Sequence, residues 1–316
     1  MSASASDPAA HTDSAFSAAW LRLREPADRS ARATAAQDNV AWIDPLRRSS
    51  MRPQGAPLCV LDLGCGTGAT LRWLAPRLGG VQRWLAFDDD EALLQSWPQA
   101  MAAGFPDAGA ALEVTWHAER LRIVAAGLAV EADRQRLDLA RQLEALPLTD
   151  VDLVCASAFI DLVSHAWLTR LVAHARAVHS RASFYFALAV DGRIDWHPAL
   201  DGDAFVAGLF ARHQQRDKGF GGAALGPAAP AAAQQLLADA GYAVDTMRSD
   251  WQLTGPDTQV LHEAFIEGMA AAAAEQEPAA AAAVEHWRVL RRAAVPGARL
   301  CVGHLDLVAR PLWRSG

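Results

Sequence analysis

Asp62, Gly64, Gly66 and Gly68 fall at every second position of the run Asp-Leu-Gly-Cys-Gly-Thr-Gly. Glycine at such positions permits a positive φ and lets a ligand lie against bare backbone. The apolar residues 59–63 before the loop read as a buried parallel strand. Residues 69–78 after it read as a helix whose first N–H groups have no intrahelical acceptor. Strand, glycine loop and helix start together make a cradle for a nucleotide cofactor. A second signal lies 20 residues past Gly68, where the apolar run 84–87 ends in Asp88-Asp89-Asp90-Glu91. In doubly wound folds an acidic residue at this point hydrogen-bonds ribose hydroxyls. Asp88 takes that role here, with Asp89 beside it. Asp89 or Asp90 also suits the cap of a helix over 91–97. Three consecutive aspartates suggest a divalent cation too, but the sequence supplies no matching carboxylate set, and no metal site is assigned.

The glycines alone leave two cofactors open, because Gly64, Gly66 and Ala69 also satisfy the G-x-G-x-x-G/A pattern of dinucleotide loops. Asp62 separates the cases: a carboxylate two residues before the first glycine repels a pyrophosphate and suits an ammonium group. S-adenosylmethionine (SAM) carries an amino acid end and a sulfonium. The run from Asp62 to Gly68 resembles motif I of class I SAM-dependent methyltransferases without a gap. That resemblance implies that Asp62, Gly64, Cys65, Gly66 and Gly68 line the cofactor and that Asp88 holds its ribose. It also implies that the acidic–apolar pair Asp138-Leu139 meets the adenine; equally, Asp138 reads as a first-turn acid of a helix over 138–146. The strand 151–157 resembles the family's fourth-strand motif, with Ser157 at its end. The architectural resemblance covers about residues 58–312.

Three places could supply acceptor chemistry. Asp161 and His165 follow the fourth strand at the carboxyl edge of the sheet, where open α/β folds bind ligands. In the bland reading, Asp161 caps the next helix. The stretch 213–222 brings together a titratable base (His213), a carboxylate (Asp217) and the only lysine (Lys218), ahead of glycines. It reads as an acceptor site with Lys218 as a required ammonium, or as a flexible surface loop. Finally, Arg24, Asp28 and Arg32 share one face of an N-terminal helix. They read first as a solvated, mutually paired face and alternatively as a lid offering arginine to the cofactor's carboxylate. The Asn/Asp-Pro-Pro-aromatic and Pro-Cys signatures of base methylation are absent after the fourth strand. The expected activity is methyl transfer to an O- or N-nucleophile of a small molecule, with His213 or Asp161 as base. A NAD-dependent oxidoreductase is the rival, although neither Tyr185 nor Tyr242 stands at Tyr-x-x-x-Lys spacing. A non-catalytic SAM-binding regulatory protein is another.

The elements that must position these groups follow from periodicity. Residues 1–14 read as a disordered tail and 15–50 as a helical lid, with Phe16, Trp20 and Leu23 on one face and a stop-and-restart at Pro26. Residues 51–312 form the cofactor domain, with an acceptor insertion over 191–228 and a helical insertion over 255–295. The expected class is α/β, and the methyltransferase resemblance implies a doubly wound, mostly parallel seven-stranded sheet whose last strand is antiparallel. The third strand falls within 121–131, the fifth is 183–190 closed by a tight Asp191-Gly192 turn, the sixth is 242–253 and the last 300–309. At 316 residues, 52% apolar with 11 Trp, the chain can bury a large core. A net charge of −7 without basic runs argues against nucleic acid as the main partner. Four cysteines without C-x-x-C spacing suggest reduced thiols in a cytoplasmic protein, and no apolar run suggests membrane insertion.

Overall fold

The computed structural model describes residues 17–39, 55–105, 112–178 and 182–312. The expected tail and the lid positions 15–16 and 40–50 lie outside the described residues. Helix α1 (Ala18–Asn39) is continuous. Pro26 does not break it: Pro26 and Arg22, whose carbonyl loses its helical donor, both face solvent. Strand β1 (Leu58–Leu63) enters the glycine loop and α2 (Ala69–Leu78) leaves it. Then come β2 (Gly80–Asp88), α3 (Glu91–Gln95) and α4 (Trp97–Ala102).

A meander follows: β3 (Glu113–His117), β4 (Arg120–Ala125) and β5 (Leu128–Arg136). The expected helix over 138–146 is corrected to a turn and a single 3-10 turn, Leu143–Ala145. Strand β6 (Leu153–Ser157) and α5 (His165–Val178) lead to β7 (Ser183–His197). The predicted turn at Asp191-Gly192 is corrected as well. Gly192, at φ 85, bends the strand without ending it, because the antiparallel partner continues alongside to His197. Helices α6 (Asp203–Gln214) and α7 (Ala229–Asp239) precede β8 (Tyr242–Arg248) and β9 (Trp251–Thr254). These two strands divide the single strand expected over 242–253, broken at Ser249-Asp250. Helices α8 (Gln259–Gln276) and α9 (Ala281–Ala294) and the antiparallel β10 (Arg299–Pro311) complete the chain.

The sheet runs β3-β4-β5-β2-β1-β6-β7-β10-β8, with β9 joined to β10. Its centre is the expected doubly wound arrangement, with β1 parallel to both β2 and β6 and β10 antiparallel between β7 and β8. Among the described residues, the β3–β4 hairpin and β9 widen the seven-stranded plan to ten. One apolar layer joins α1, α2 and α4 to one face of the sheet, through Leu71, Trp84 and Trp97 among others. The other face packs α5 and α7 through Leu168, Leu171 and Leu237. A third cluster, with Val206, Ile266 and Trp287, joins α6, α8 and α9 into a cap at the extended ends of β7 and β10. None of the described helices is long and apolar enough to cross a membrane.

Candidate functional site

Asp62 is the penultimate residue of β1 and pairs in register with Cys155 of β6. It is fully buried on the α1–α2 side, where the Cys155 thiol donates to Oδ1 at 3.5 Å. Its Oδ2 has no partner among the described residues. Burial pushes this carboxyl up to about 7, although the Arg32 charge pulls the other way. Gly64 and Gly66 hold φ of 63° and 52°, a region that only glycine enters cheaply. Side chains would crowd any Cβ there: the Phe159 ring would be 2.6 Å from one at Gly64, and Leu21 of α1 3.1 Å from one at Gly66. The Asp88 carboxylate braces the loop, accepting from Gly66 N at 2.8 Å and Asp90 N at 2.9 Å. Burial raises its pKa too, and lone pairs on both oxygens remain for hydroxyl donors. The Trp97 indole donates to Gly66 O at 2.8 Å. Cys65 donates its N–H to Phe87 O, and its buried thiol is pushed well up.

The Arg24-Asp28-Arg32 face of α1 is not solvated, which corrects the first reading of it. Arg24 is 8% exposed, Asp28 7% and Arg32 1%. Ala31 and Ala35 continue the same face and let α1 sit close to the sheet. Arg24 donates twice to Asp28, at 2.9 and 3.1 Å, and the Trp251 indole donates to the same carboxylate at 2.8 Å. Arg32 lies over the Trp73 ring at 5.1 Å and reaches the Asp28 carbonyl at 3.4 Å. Its Nη1 is buried without a partner among the described residues. Farther along the sheet, buried Asp306 accepts from Tyr185 Oη at 2.7 Å, Leu188 N at 2.8 Å and Ser249 Oγ at 2.6 Å. Leu188 makes its bond from a left-handed φ of 53°, inside an irregular stretch of the β7–β10 ladder.

Asp161 follows β6 in a turn, where its carbonyl accepts from Gly226 N at 2.9 Å. The residue is half-buried, but Oδ1 is sealed from solvent and has no partner among the described residues. Burial raises the carboxyl to about 6, opposed in part by the Arg24 charge. It does not cap α5; that task falls to Ser164 Oγ, which accepts from Trp167 N at 3.1 Å. His165, the first residue of α5, is exposed.

The other candidates sit in the elements around the glycine loop or at the end of α6. Asp89 is exposed and pairs with Arg136 at 3.3 Å, and Asp90 provides the α3 cap. Asp138 closes its own turn by accepting from Ala140 N and Arg141 N. Buried Leu139 packs in the α5–α7 layer while its carbonyl accepts from the Trp167 indole. Ser157 is half-buried opposite Ala187. His213, Asp217 and Lys218 lie at and beyond the end of α6. His213 meets Glu275 of α8 at 3.2 Å, and burial and Lys218 hold its imidazole below the ordinary value. Asp217 and Lys218 are exposed, with Asp217 accepting from Gly219 N. The loop does reach the site through Phe220, which packs edge-on against Phe159 and Trp167. An open groove of about 440 Å³ lies elsewhere, on the β7–β10–β9 extension, lined by Arg193, Asp250 and Cys301 among others. Its central guanidinium, Arg193, is committed to Asp191 and Asp250.

Two residues that the sequence reading passed over belong to the buried set. Asp306 and His304 are polar positions within the strand run 300–309, which has no basic residue beside them to excuse burial. A charge or imidazole in a central strand was the available signal.

Fold and site together define a doubly wound α/β protein with a candidate cofactor cradle at the carboxyl edge of its sheet, roofed by α1. No family model matches the chain, and no curated protein sequence matches it. Among solved structures it is similar to a cyclopropane-fatty-acyl-phospholipid synthase-like protein from Lactobacillus casei. The identity is 14% and the TM-score 0.47, over 93% of this chain and 94% of that one. It is also similar to the plantazolicin methyltransferase BamL in complex with a triazolic desmethylPZN analog and SAH, with 10% identity and a TM-score of 0.38 over 93% and 89%. The cyclase SpnF shares 12% identity and a TM-score of 0.37 over 93% and 94%.

Proposed function

We propose that the protein is a SAM-dependent methyltransferase acting on an N- or O-nucleophile of a small molecule. The observation that carries this reading is a pair of complementary orphans beside the glycine loop. Asp62 Oδ2 and Arg32 Nη1 are both buried, both lack partners among the described residues, and are near enough to feel each other's charge. Two such groups left unpaired in a core cost several kcal/mol. An amino acid end relieves both, its carboxylate on Arg32 and its ammonium on Asp62. A pyrophosphate relieves only one and is repelled by Asp62 once that carboxyl is ionised.

SAM, when bound, supplies a methyl group already activated on a sulfonium. The chain's own residues then have to hold, orient and deprotonate. Gly64 and Gly66 keep the loop surface bare, Asp88 offers acceptors to ribose hydroxyls, and Arg32 and Asp62 fix the amino acid end. Of the two expected bases, His213 and Asp161, the base role goes to Asp161. It is sealed, unpaired and raised toward neutrality, as a base working near pH 7 should be. Holding nucleophile and donor in one orientation supplies most of what remains.

Calorimetry with S-adenosylhomocysteine (SAH) tests the reading. The wild type binds it, whereas Asp62→Ala and Gly66→Val each lose about 100-fold or more in affinity. Unchanged affinity in both variants, or a thermal shift with NADH and none with SAM, defeats the assignment.

A further inference from the structure

We infer that the protein pairs with a second copy of itself through strand β3, whose free edge is complementary to itself about Thr115.

Strand β3 stands at one end of the sheet order, with β8 at the other, and no described strand lies beyond it. A free edge is a row of unpaired N–H and C=O groups, which proteins usually blunt with lysine, proline or a bulge. The strand Glu113–His117 has no Lys and no Pro, and its register with β4 is unbroken from Glu113 opposite Val124 to His117 opposite Arg120. The hairpin is braced from within the sheet. Arg134 of β5 lies over the Trp116 ring at 5.0 Å and donates to the Leu94 carbonyl of α3 and to Glu119 of the β3–β4 turn.

Backbone parity decides which groups point outward. The two-residue turn Ala118-Glu119 makes His117 and Arg120 a hydrogen-bonded pair. Alternation along an antiparallel ladder then directs the backbone groups of Glu113, Thr115 and His117 to β4. The next two-residue turn, Ala126-Gly127, fixes the same parity, because it directs Leu121, Ile123 and Ala125 of β4 to β5. Val114 and Trp116 are left with N–H and C=O facing outward, and neither has a backbone partner elsewhere among the described residues. A second β3 laid antiparallel about Thr115 sets Val114 of each copy against Trp116 of the other. Each of these two pairs exchanges two hydrogen bonds, so every outward group of both residues is satisfied.

The same register matches the side chains. Glu113 of each copy faces His117 of the other, and an imidazole can donate to a carboxylate whether or not it is charged. Both residues are exposed, and neither has an ion pair or hydrogen bond among the described residues, whereas Arg120 on the neighbouring strand is paired with Asp133. On the opposite face Val114 meets Trp116. Both are half-buried against the α1–α2 apolar layer, which the pairing continues into the second copy. Aromatic against β-branched and threonine against threonine are both favourable cross-strand pairs. Centring the pairing on Val114 or Trp116 instead takes Glu113 away from His117. Joining β3 to β8 would repeat without closing, whereas the two-fold pairing closes on itself. A pairing this short buries less than a standard interface, so the dimer is a weak one, dissociating on the order of 10–100 µM.

Sedimentation velocity of the full chain from about 5 to 500 µM tests this. The wild type should pass from monomer to dimer across that range. His117→Glu sets two like-charged pairs across the two-fold axis and should weaken the dimer about five- to tenfold; adding Glu113→Lys restores opposite charges and should restore the dimer. Val114→Pro removes no hydrogen bond within the chain, yet it deletes two between the copies and should weaken the dimer about tenfold or more. Should Val114→Pro fail to fold, the charge variants decide alone. A wild type that stays monomeric throughout overturns the inference, as does a dimer indifferent to His117→Glu. A double variant as weak as His117→Glu alone overturns it too, and so does a ladder of ever larger species, the mark of β3 joined to β8.

Discussion

Two charged stretches compete for the chemistry of this protein, and they differ in one respect. The face Arg24-Asp28-Arg32 lies on a helix pressed against the sheet, and all three side chains are buried. The stretch from His213 to Lys218 lies at the end of α6, with Asp217 and Lys218 in solvent and His213 in a rim ion pair with Glu275. Both combine a carboxylate with cations, and the second adds an imidazole. Burial is what gives the first set leverage, because an unpaired charge out of water costs far more than one on the surface. Residue types name what a cluster can do; the dielectric around it decides whether that ability has consequences.

The comparison is most sharply broken at Arg32. Arg32→Met removes the only buried guanidinium nitrogen that lacks a partner among the described residues, so SAH affinity should fall by about 10- to 100-fold. Stability should hold or rise, since replacing a buried ion by an apolar chain of similar length is often neutral or favourable. A lower melting temperature with unchanged SAH affinity would make Arg32 a packing residue and remove the difference between the two stretches.

A smaller effect sharpens the same contrast through pH. The folded protein holds the Asp62 proton up to about pH 7, whereas the unfolded chain releases it near the ordinary 3.8. The stability from protonated Asp62 is therefore fully present below 3.8, and it is lost as pH rises through that interval to about 7. Asp62→Asn keeps the neutral form throughout and should outlast the wild type increasingly from pH 5 to 8, by up to a few kcal/mol. Taking the difference between the two denaturation curves cancels His304, whose lowered pKa works in the opposite sense. Parallel curves would mean that Asp62 titrates as an ordinary surface carboxylate.

The smallest effect belongs to the exposed stretch. His213→Gln and Lys218→Ala should each change stability by less than about 0.5 kcal/mol and leave SAH affinity unaltered. A several-fold loss of SAH affinity in either would return the loop to the site and erase the ranking.

What could be read from the sequence follows the range of the forces involved. The strand, the glycine loop and Asp62 are local features, set by neighbours along the chain, and the structure places them as expected. The last strand was legible from its apolar run, and its antiparallel direction followed only from the methyltransferase resemblance. The α1 face was harder, because i,i+4 spacing of Arg24, Asp28 and Arg32 looks the same whether water or a sheet lies opposite. Ala31 and Ala35 on that face were the hint, since small residues permit close approach. The burial of His304 goes with register shifts in the β7–β10 ladder on either side of it, and such a shift is a property of two strands that no single run reveals. Asp191-Gly192 failed as a turn for the same reason: the pairing of β7 with β10, made across more than 100 residues, overrides a local turn preference.

The long ladder of β7 and β10 has one more consequence. The same two strands carry Leu188, His304 and Asp306 at the sheet edge and then run on to support the cap. Cap and sheet floor are thus cut from one continuous piece, and the cap cannot swing like a hinged domain without unzipping its own foundation. On the proposed function, admission of the cofactor falls instead to α1, which lies across the glycine loop through Leu21 and is latched to α2 by the Glu25–Arg72 ion pair at 2.6 Å. On that reading the door is a single helix, and the guanidinium that greets the cofactor, Arg32, is mounted on the door itself.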